Sequence, residues 1–294
     1  MSGIAIAHVP FFSVVIPVLD EEKTLPNLFD DLSHQTYSDF QVCIVDGGSK
    51  DRSCKLAEQF AKRDKRFTLL KSSHKNVSMQ RNLGAKNTQG KYLVFLDADN
   101  RIPHFYLEGI HYHLMQQDVD GWTTFASPDS KRADVKFFAT VLNFGMEGGA
   151  LLKKPYAVGA GLGVKRAMFN KIHGFNETLQ FMEDTRFARD ITKYHGKFVT
   201  YKDPTFVYNM RRYRKEGLIP LTVRLIPPYL NSLMADKTEN IPDIYPMNGG
   251  SNYKSKKRTL LEFRELQHTI RKIVKSRKKR IQNVVKQLQE FIQQ

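Results

Sequence analysis

Residues 92–100 read Tyr-Leu-Val-Phe-Leu-Asp-Ala-Asp-Asn. Five apolar residues in an unbroken run have the length and composition of a strand buried on both faces. Such a strand belongs in a parallel sheet covered by helices. There the C-terminal ends of the strands share one edge, and open α/β sheets hold their ligands at that edge. Asp97 and Asp99, one residue apart at a fixed backbone point, offer hard oxygen ligands suited to Mg²⁺ or Mn²⁺ carrying a phosphate.

The residues upstream repeat the pattern. Apolar runs at 12–16, 41–45 and 67–70 alternate with amphipathic stretches at 21–33, 51–63 and 77–88, the second opening after Ser49 as its N-cap. Right-handed crossovers between them bring the strand ends together. Three polar clusters fall there: Pro17-Val18-Leu19-Asp20-Glu21, Asp46-Gly47-Gly48-Ser49-Lys50-Asp51 and Asp97-Ala98-Asp99-Asn100. Turn and cap chemistry accounts for any one of them. Their shared edge points to a cleft that binds a ligand.

With 294 residues, 41% of them hydrophobic, the chain has ample material for a large core, which excludes disorder throughout. Two cysteines, Cys43 and Cys54, are too few for a disulfide framework or a structural zinc site, so a reducing compartment is expected. Residues 1–17 lack the basic region and cleavage site of a signal peptide, which adds to the expectation of a cytoplasmic protein. The formal charge of +16 is uneven: residues 254–294 hold 13 Lys and Arg against 3 Glu, or +10 of the total.

That tail has its own helical stripe, in which Phe263, Leu266, Ile270, Ile273, Val274, Ile281, Val284, Val285 and Leu288 recur at helical spacing among basic residues. A basic amphipathic helix of this kind packs on the body, pairs with a partner or lies on an anionic membrane, with the inner face of the cell membrane as the expected surface. Nucleic acid is not an expected partner, because zinc, RNA-binding aromatic and helix-turn-helix signatures are missing. Residues 218–234 are apolar but interrupted by Pro220, Arg224, Pro227 and Pro228, and the Gly/Asn/Ser-rich residues 248–255 read as a linker. The expected organisation is an α/β domain over 10–215, with a first half at 10–100 and a second at 101–215. A Pro-rich apolar segment and linker follow at 216–253, and then the helical tail at 254–294.

In the second half, Gly159-Ala160-Gly161-Leu162-Gly163 reads as a close-approach strand or bend rather than a phosphate cradle. Phe181-Met182-Glu183-Asp184 leads into a helix over 185–194, where the dipole favours carboxylates in the first turn. Arg211, Arg212 and Arg214 form a basic cluster that would clamp diphosphate oxygens or face solvent. The nine His show no metal-ligand spacing.

Six blocks in order now carry a resemblance: Val14-Val15-Ile16-Pro17-Val18-Leu19-Asp20-Glu21-Glu22, Val45-Asp46-Gly47-Gly48-Ser49-Lys50-Asp51, Gln80-Arg81-Asn82-Leu83-Gly84-Ala85, Phe95-Leu96-Asp97-Ala98-Asp99, His173-Gly174-Phe175-Asn176-Glu177 and Glu183-Asp184. Over about residues 12–214 the chain resembles the family 2 glycosyltransferases, inverting enzymes of the GT-A fold that use nucleotide sugars. The resemblance implies an α/β fold with a mostly parallel sheet, a catalytic domain over 10–215 with a nucleotide-binding half at 10–100 and an acceptor half at 101–215, a nucleotide-sugar donor, and a glycan or lipid-linked hydroxyl acceptor. It also implies a divalent metal, Mg²⁺ or Mn²⁺.

Residue by residue it implies Pro17, Glu21 and Asp46 at the nucleoside, Arg81 near the nucleotide and Asp97 at the ribose or a metal-bound water. Asp99 would hold the metal and Asp184 would be the base, with Glu183 and the three arginines as further diphosphate or acceptor contacts. The chain departs from the family at Gly47, where a second Asp often contacts the base, at Asp20, where Asn is usual, and at Asn209, where His is frequent. A sugar-phosphate nucleotidyltransferase shares a similar sheet but carries a Gly-rich loop after the first strand. A non-catalytic binder of anionic surfaces or nucleic acid is the reading from another class.

Overall fold

The computed structural model describes residues 8–211, apart from residues 152 and 180. The expectations for Arg212, Arg214, the segment at 216–253 and the tail at 254–294 lie outside the described residues.

Strands and helices alternate through the first half: β1 Phe12–Val18, α1 Leu25–Ser33, β2 Phe40–Asp46, α2 Ser53–Arg63, β3 Phe67–Lys71, α3 Val77–Lys86 and β4 Tyr92–Phe95. There follow α4 Tyr106–Gln116, β5 Gly121–Pro128, α5 Ala133–Leu151, β6 Leu162–Lys165, α6 Arg166–Lys171, α7 Glu183–Lys193 and β7 Phe198–Tyr208. The strands form one sheet in the order β3-β2-β1-β4-β6-β5-β7. Only β6 runs against its neighbours β4 and β5, so the sheet is mostly parallel, as expected.

The near-continuous apolar character of β1, β2 and β4 follows from coverage on both faces. Along β1, Val14, Ile16 and Val18 enter one core with Leu25, Leu28 and Phe29 of α1 and Tyr106 and Ile110 of α4. Val15 enters the other, with Leu93 and Phe95 of β4 and Phe169, Phe187 and Ile191 of α6 and α7. Adjacent residues thus face opposite layers, and both layers exclude water.

Three sequence expectations are adjusted. β1 continues past residue 16 through Pro17, because its ladder with β4 ends at Val15–Phe95 and only β2 pairs beyond that point. α1 starts at Leu25 rather than residue 21, with Pro26 in its first turn where a missing N–H is harmless. α2 starts at Ser53, and Ser49 is not its N-cap. Asp51 accepts the Ser53 N–H at 2.9 Å, while the Ser49 hydroxyl is spent on the backbone of Asp20 at 2.9 Å.

The glycine-rich stretch becomes β6 and the bend before it. Gly161 has φ +76°, and Gly163 lies under the indole of Trp122, where a Cβ would fall 2.0 Å from a ring carbon. The histidines of α4 are structural: His111 stacks on Tyr37, and His113 stacks on Tyr201 and reaches the Asp203 carbonyl at 2.9 Å. Both cysteines are free thiols. No helix among the described residues is long and apolar enough to cross a membrane.

The approach of α3 to the sheet depends on Gly84, where a Cβ would lie 2.4 Å from Val15 Cγ1 and 3.1 Å from Val45 Cγ2. Gly84→Ala gains about 1 kcal/mol of helix propensity but overpacks the layer by about 1–3 kcal/mol. We predict a lower unfolding midpoint in urea for Gly84→Ala, with part of the loss recovered when Val15→Ala is added. A variant more stable than the parent would contradict the close packing.

Candidate active site

The loops that leave β1 and β2 are laced together by side chain to backbone bonds. Asp20 N–H donates to Ser49 Oγ at 2.9 Å and Asp20 Oδ1 accepts from Lys50 N–H at 2.6 Å. Glu21 N–H donates to Ser53 Oγ at 2.7 Å, and Glu22 N–H to Asp51 Oδ2 at 3.0 Å. The acidic residues after both strands therefore rim one edge, as the sequence pattern implies. Glu21 is buried and accepts the Thr24 hydroxyl at 2.8 Å. Asp46 is buried too: Oδ2 accepts the N–H groups of Gly48 and Ser49 at 3.0 and 3.1 Å, while Oδ1 has no partner among the described residues. Pro17 sits in β1 opposite Val45, next to this rim.

The third cluster is organised by Arg81 of α3. Its guanidinium, only 2% exposed, donates to Asp97 Oδ1 at 2.8 Å and to Glu183 Oε1 at 2.9 Å, and lies over the Phe175 ring at 5.2 Å. One cation thus joins the end of β4, the start of α7 and the nucleotide-binding half of the chain. Gly159 makes room for it, since a Cβ there would fall 2.2 Å from Arg81 Nη2. Burial works against the charged guanidinium, but Asp97, then Glu183 and Asp184, outweigh it and hold its pKa above the ordinary value.

Asp184 follows Glu183 in the first turn of α7, which begins after Met182 in a left-handed conformation at φ 58°. Oδ2 accepts the Gly159 N–H at 2.7 Å and Oδ1 accepts the Thr185 N–H at 2.6 Å. Three carboxylates surround a single guanidinium here, so with all three ionised two negative charges are in excess. Burial, and then repulsion from Glu183, raise the Asp184 carboxyl above the usual carboxylate range; Arg81 and the Thr185 and Gly159 N–H groups oppose this without cancelling it. Asp184 remains half-buried. A raised carboxyl with part of its surface accessible is suited to accept a proton from a bound hydroxyl.

Asp97, Glu183, Asp184 and Arg81 are thus brought together, with Asp99 two residues beyond Asp97 and half-buried. Arg211 is the last described residue and half-buried. Sequence reasoning placed Gly159 in a close-approach bend and Gln80 in a family block but gave neither a role in the site. Gly159 is visible in the sequence only as one glycine of several, while Gln80 is buried with its amide donating to the carbonyls of Val18 and Val45 at 3.0 and 2.8 Å. The described residues contain no cluster of three or more His, Cys, Asp or Glu placed to hold a metal.

The model of the family described as Glycosyl transferase family 2 matches residues 13–173. Over 112 residues, 38% of this chain, the sequence is 30% identical to EpsJ of Bacillus subtilis, named an uncharacterized glycosyltransferase; the match spans 33% of that relative's length. Among solved structures, the mannosyltransferase PcManGT of Pyrobaculum calidifontis in complex with GDP-Man and Mn²⁺ superposes with a TM-score of 0.63 at 20% identity, covering 82% of this chain and 68% of that one. Residues 1–349 of S. aureus TarS in complex with UDP-GlcNAc superpose with a TM-score of 0.56 at 17% identity, covering 75% of this chain and 66% of that one. These likenesses show the GT-A fold. With the family model matching more than half of its length, the chain belongs to glycosyl transferase family 2.

Proposed function

We propose that the protein is an inverting glycosyltransferase that moves a sugar from a nucleoside-diphosphate sugar to a hydroxyl of a glycan, polysaccharide or lipid-linked acceptor. The observation that carries this reading is the Arg81 clasp, which sets the carboxylates of the donor edge and the raised Asp184 carboxyl around one cation. Family membership and the nucleotide sugars in the two solved relatives support it.

The acceptor oxygen attacks the anomeric carbon from the face opposite the diphosphate. Its proton passes to Asp184, and the bond from the anomeric carbon to the diphosphate oxygen breaks, leaving a nucleoside diphosphate. Asp46, Glu21 and Pro17 border the nucleoside, and Asp97 is held toward the donor by Arg81.

A divalent ion fits the donor set of this edge. Mg²⁺ and Mn²⁺ bind through one or two carboxylates and take their remaining ligands from substrate phosphates and water, so a preformed cage of three side chains is not required. Asp99 would hold it, with Asp97 nearby, and the ion supplies charge neutralisation for the departing diphosphate. The basic tail at 254–294 suits attachment to an anionic membrane, at the cytoplasmic face where lipid-linked acceptors lie.

Asp184→Asn is expected to bind the donor as the parent does and to lower kcat by about 10²- to 10⁴-fold. In the parent, transfer is active once Asp184 has lost its proton, so kcat falls as pH drops through the raised Asp184 pKa. The acid limb then lies above the ~3.9 of an ordinary aspartate. A pH–rate profile at saturating donor measures this, and an acid limb near the ordinary carboxylate value would remove Asp184 from the role of base.

Asp99→Asn is expected to weaken Mn²⁺-dependent binding of a nucleoside diphosphate by at least about tenfold, with the unfolding midpoint unchanged. Equal metal-dependent affinity by calorimetry would refute the assignment.

A further inference from the structure

Gln80 lies in α3, one turn in from the Asn76 cap whose side chain accepts the Met79 N–H at 3.0 Å. Its Nε2 donates to two carbonyls on adjacent strands, Val18 at 3.0 Å and Val45 at 2.8 Å. Carbonyl oxygens only accept, so both amide protons are committed and the orientation of the amide is fixed by its surroundings. What is left over is Oε1, an acceptor with no hydrogen-bond donor among the described residues, on a side chain only 4% exposed.

This amide stands where residue 47 would otherwise place a side chain. A Cβ at Gly47 would lie 2.8 Å from Gln80 Nε2 and 3.3 Å from Oε1, so the two positions compete for the same volume. Beside them the buried Asp46 Oδ1 also lacks a donor among the described residues. Two acceptors without donors among the described residues, in neighbouring positions at a strand edge, become favourable partners when a ligand brings N–H or O–H groups.

The sheet order places this pair at a defined distance from the diphosphate. β4, which ends at the Asp99 loop, is separated from β2 by β1 alone, hence by two strand spacings or about 10 Å. That is close to the reach of a nucleoside from its 5′ oxygen to the far edge of its base.

We propose that Gln80 reads the nucleobase of the donor, with Oε1 accepting a ring N–H, so that uracil or guanine is selected over cytosine. The inference rests on the reading of the site as a nucleoside-diphosphate-sugar site. An amide whose donors are already taken is acceptor-only toward the ligand. Uracil N3–H and guanine N1–H complement it, whereas cytosine presents a lone pair at N3 and leaves two acceptors face to face. A site that pairs a buried polar group with the correct ligand rejects the analogue that leaves it unpaired.

The test is calorimetry of the full chain with UDP, GDP and CDP in the presence of Mn²⁺. The parent is expected to bind UDP or GDP at least about tenfold more tightly than CDP. In Gln80→Ala the ratio should fall toward one while CDP affinity changes little. A second measurement needs no variant: methylating N3 of UDP, or N1 of GDP, whichever parent nucleotide binds, should weaken binding to the unmodified protein by about tenfold or more.

Selectivity that survives in Gln80→Ala, indifference of the parent to the base, or undiminished affinity for the methylated nucleotide would each overturn the assignment and leave the glycosyltransferase reading standing. Failure of the parent to bind any of the three nucleotides would overturn both.

Discussion

A guanidinium removed from water must be matched by carboxylates that are themselves fixed, or the fold pays the desolvation of an unpaired ion. Arg81 meets that demand with partners 16 and 102 residues away along the chain. The requirement therefore acts on tertiary structure: α3, the end of β4, the Gly159 bend and the first turn of α7 can satisfy the ion only by meeting at one point. Asp184 inherits its environment from this arrangement, since the Gly159 N–H that it binds comes from the residue whose missing side chain admits Arg81.

The sheet supplies the frame in which this meeting is cheap. Its central strands β1 and β4 are buried on both faces, so their ends hold position with little freedom, and the polar residues that follow are displayed at one edge. The turn from parallel to antiparallel at β6 brings Gly159 to the C-terminal end of β4. A purely parallel continuation would have carried that segment to the opposite edge. Architecture and electrostatics thus converge on the same few residues.

Much of this was legible in the sequence because it depends on local patterns. The apolar runs identified β1 to β4 and the burial of β1, β2 and β4, while β3 at the sheet edge is only partly buried; the acidic clusters after β1, β2 and β4 marked the working edge. Ser49 was misread as a helix cap because its hydroxyl bonds a residue 29 positions earlier, which no local signal announces. Arg81 was expected at the nucleotide, yet its degree of burial follows from Gly159 and Glu183, both remote in sequence. The role of Gln80 was hidden for a related reason: an amide on a helix reads as solvated until two strand ends are known to lie beneath it.

The lacing between the loops after β1 and β2 has a consequence for how such a pocket can vary. Its rungs join residues at nearly constant offsets of 29, 30, 29 and 32 positions, like teeth of a zipper. An insertion in one loop would throw every later rung out of step unless the other loop lengthened in concert. Diversification of the rim by changing loop length is therefore discouraged, and exchanges of bulk between facing positions, as between residues 47 and 80, are the route that leaves the zipper closed.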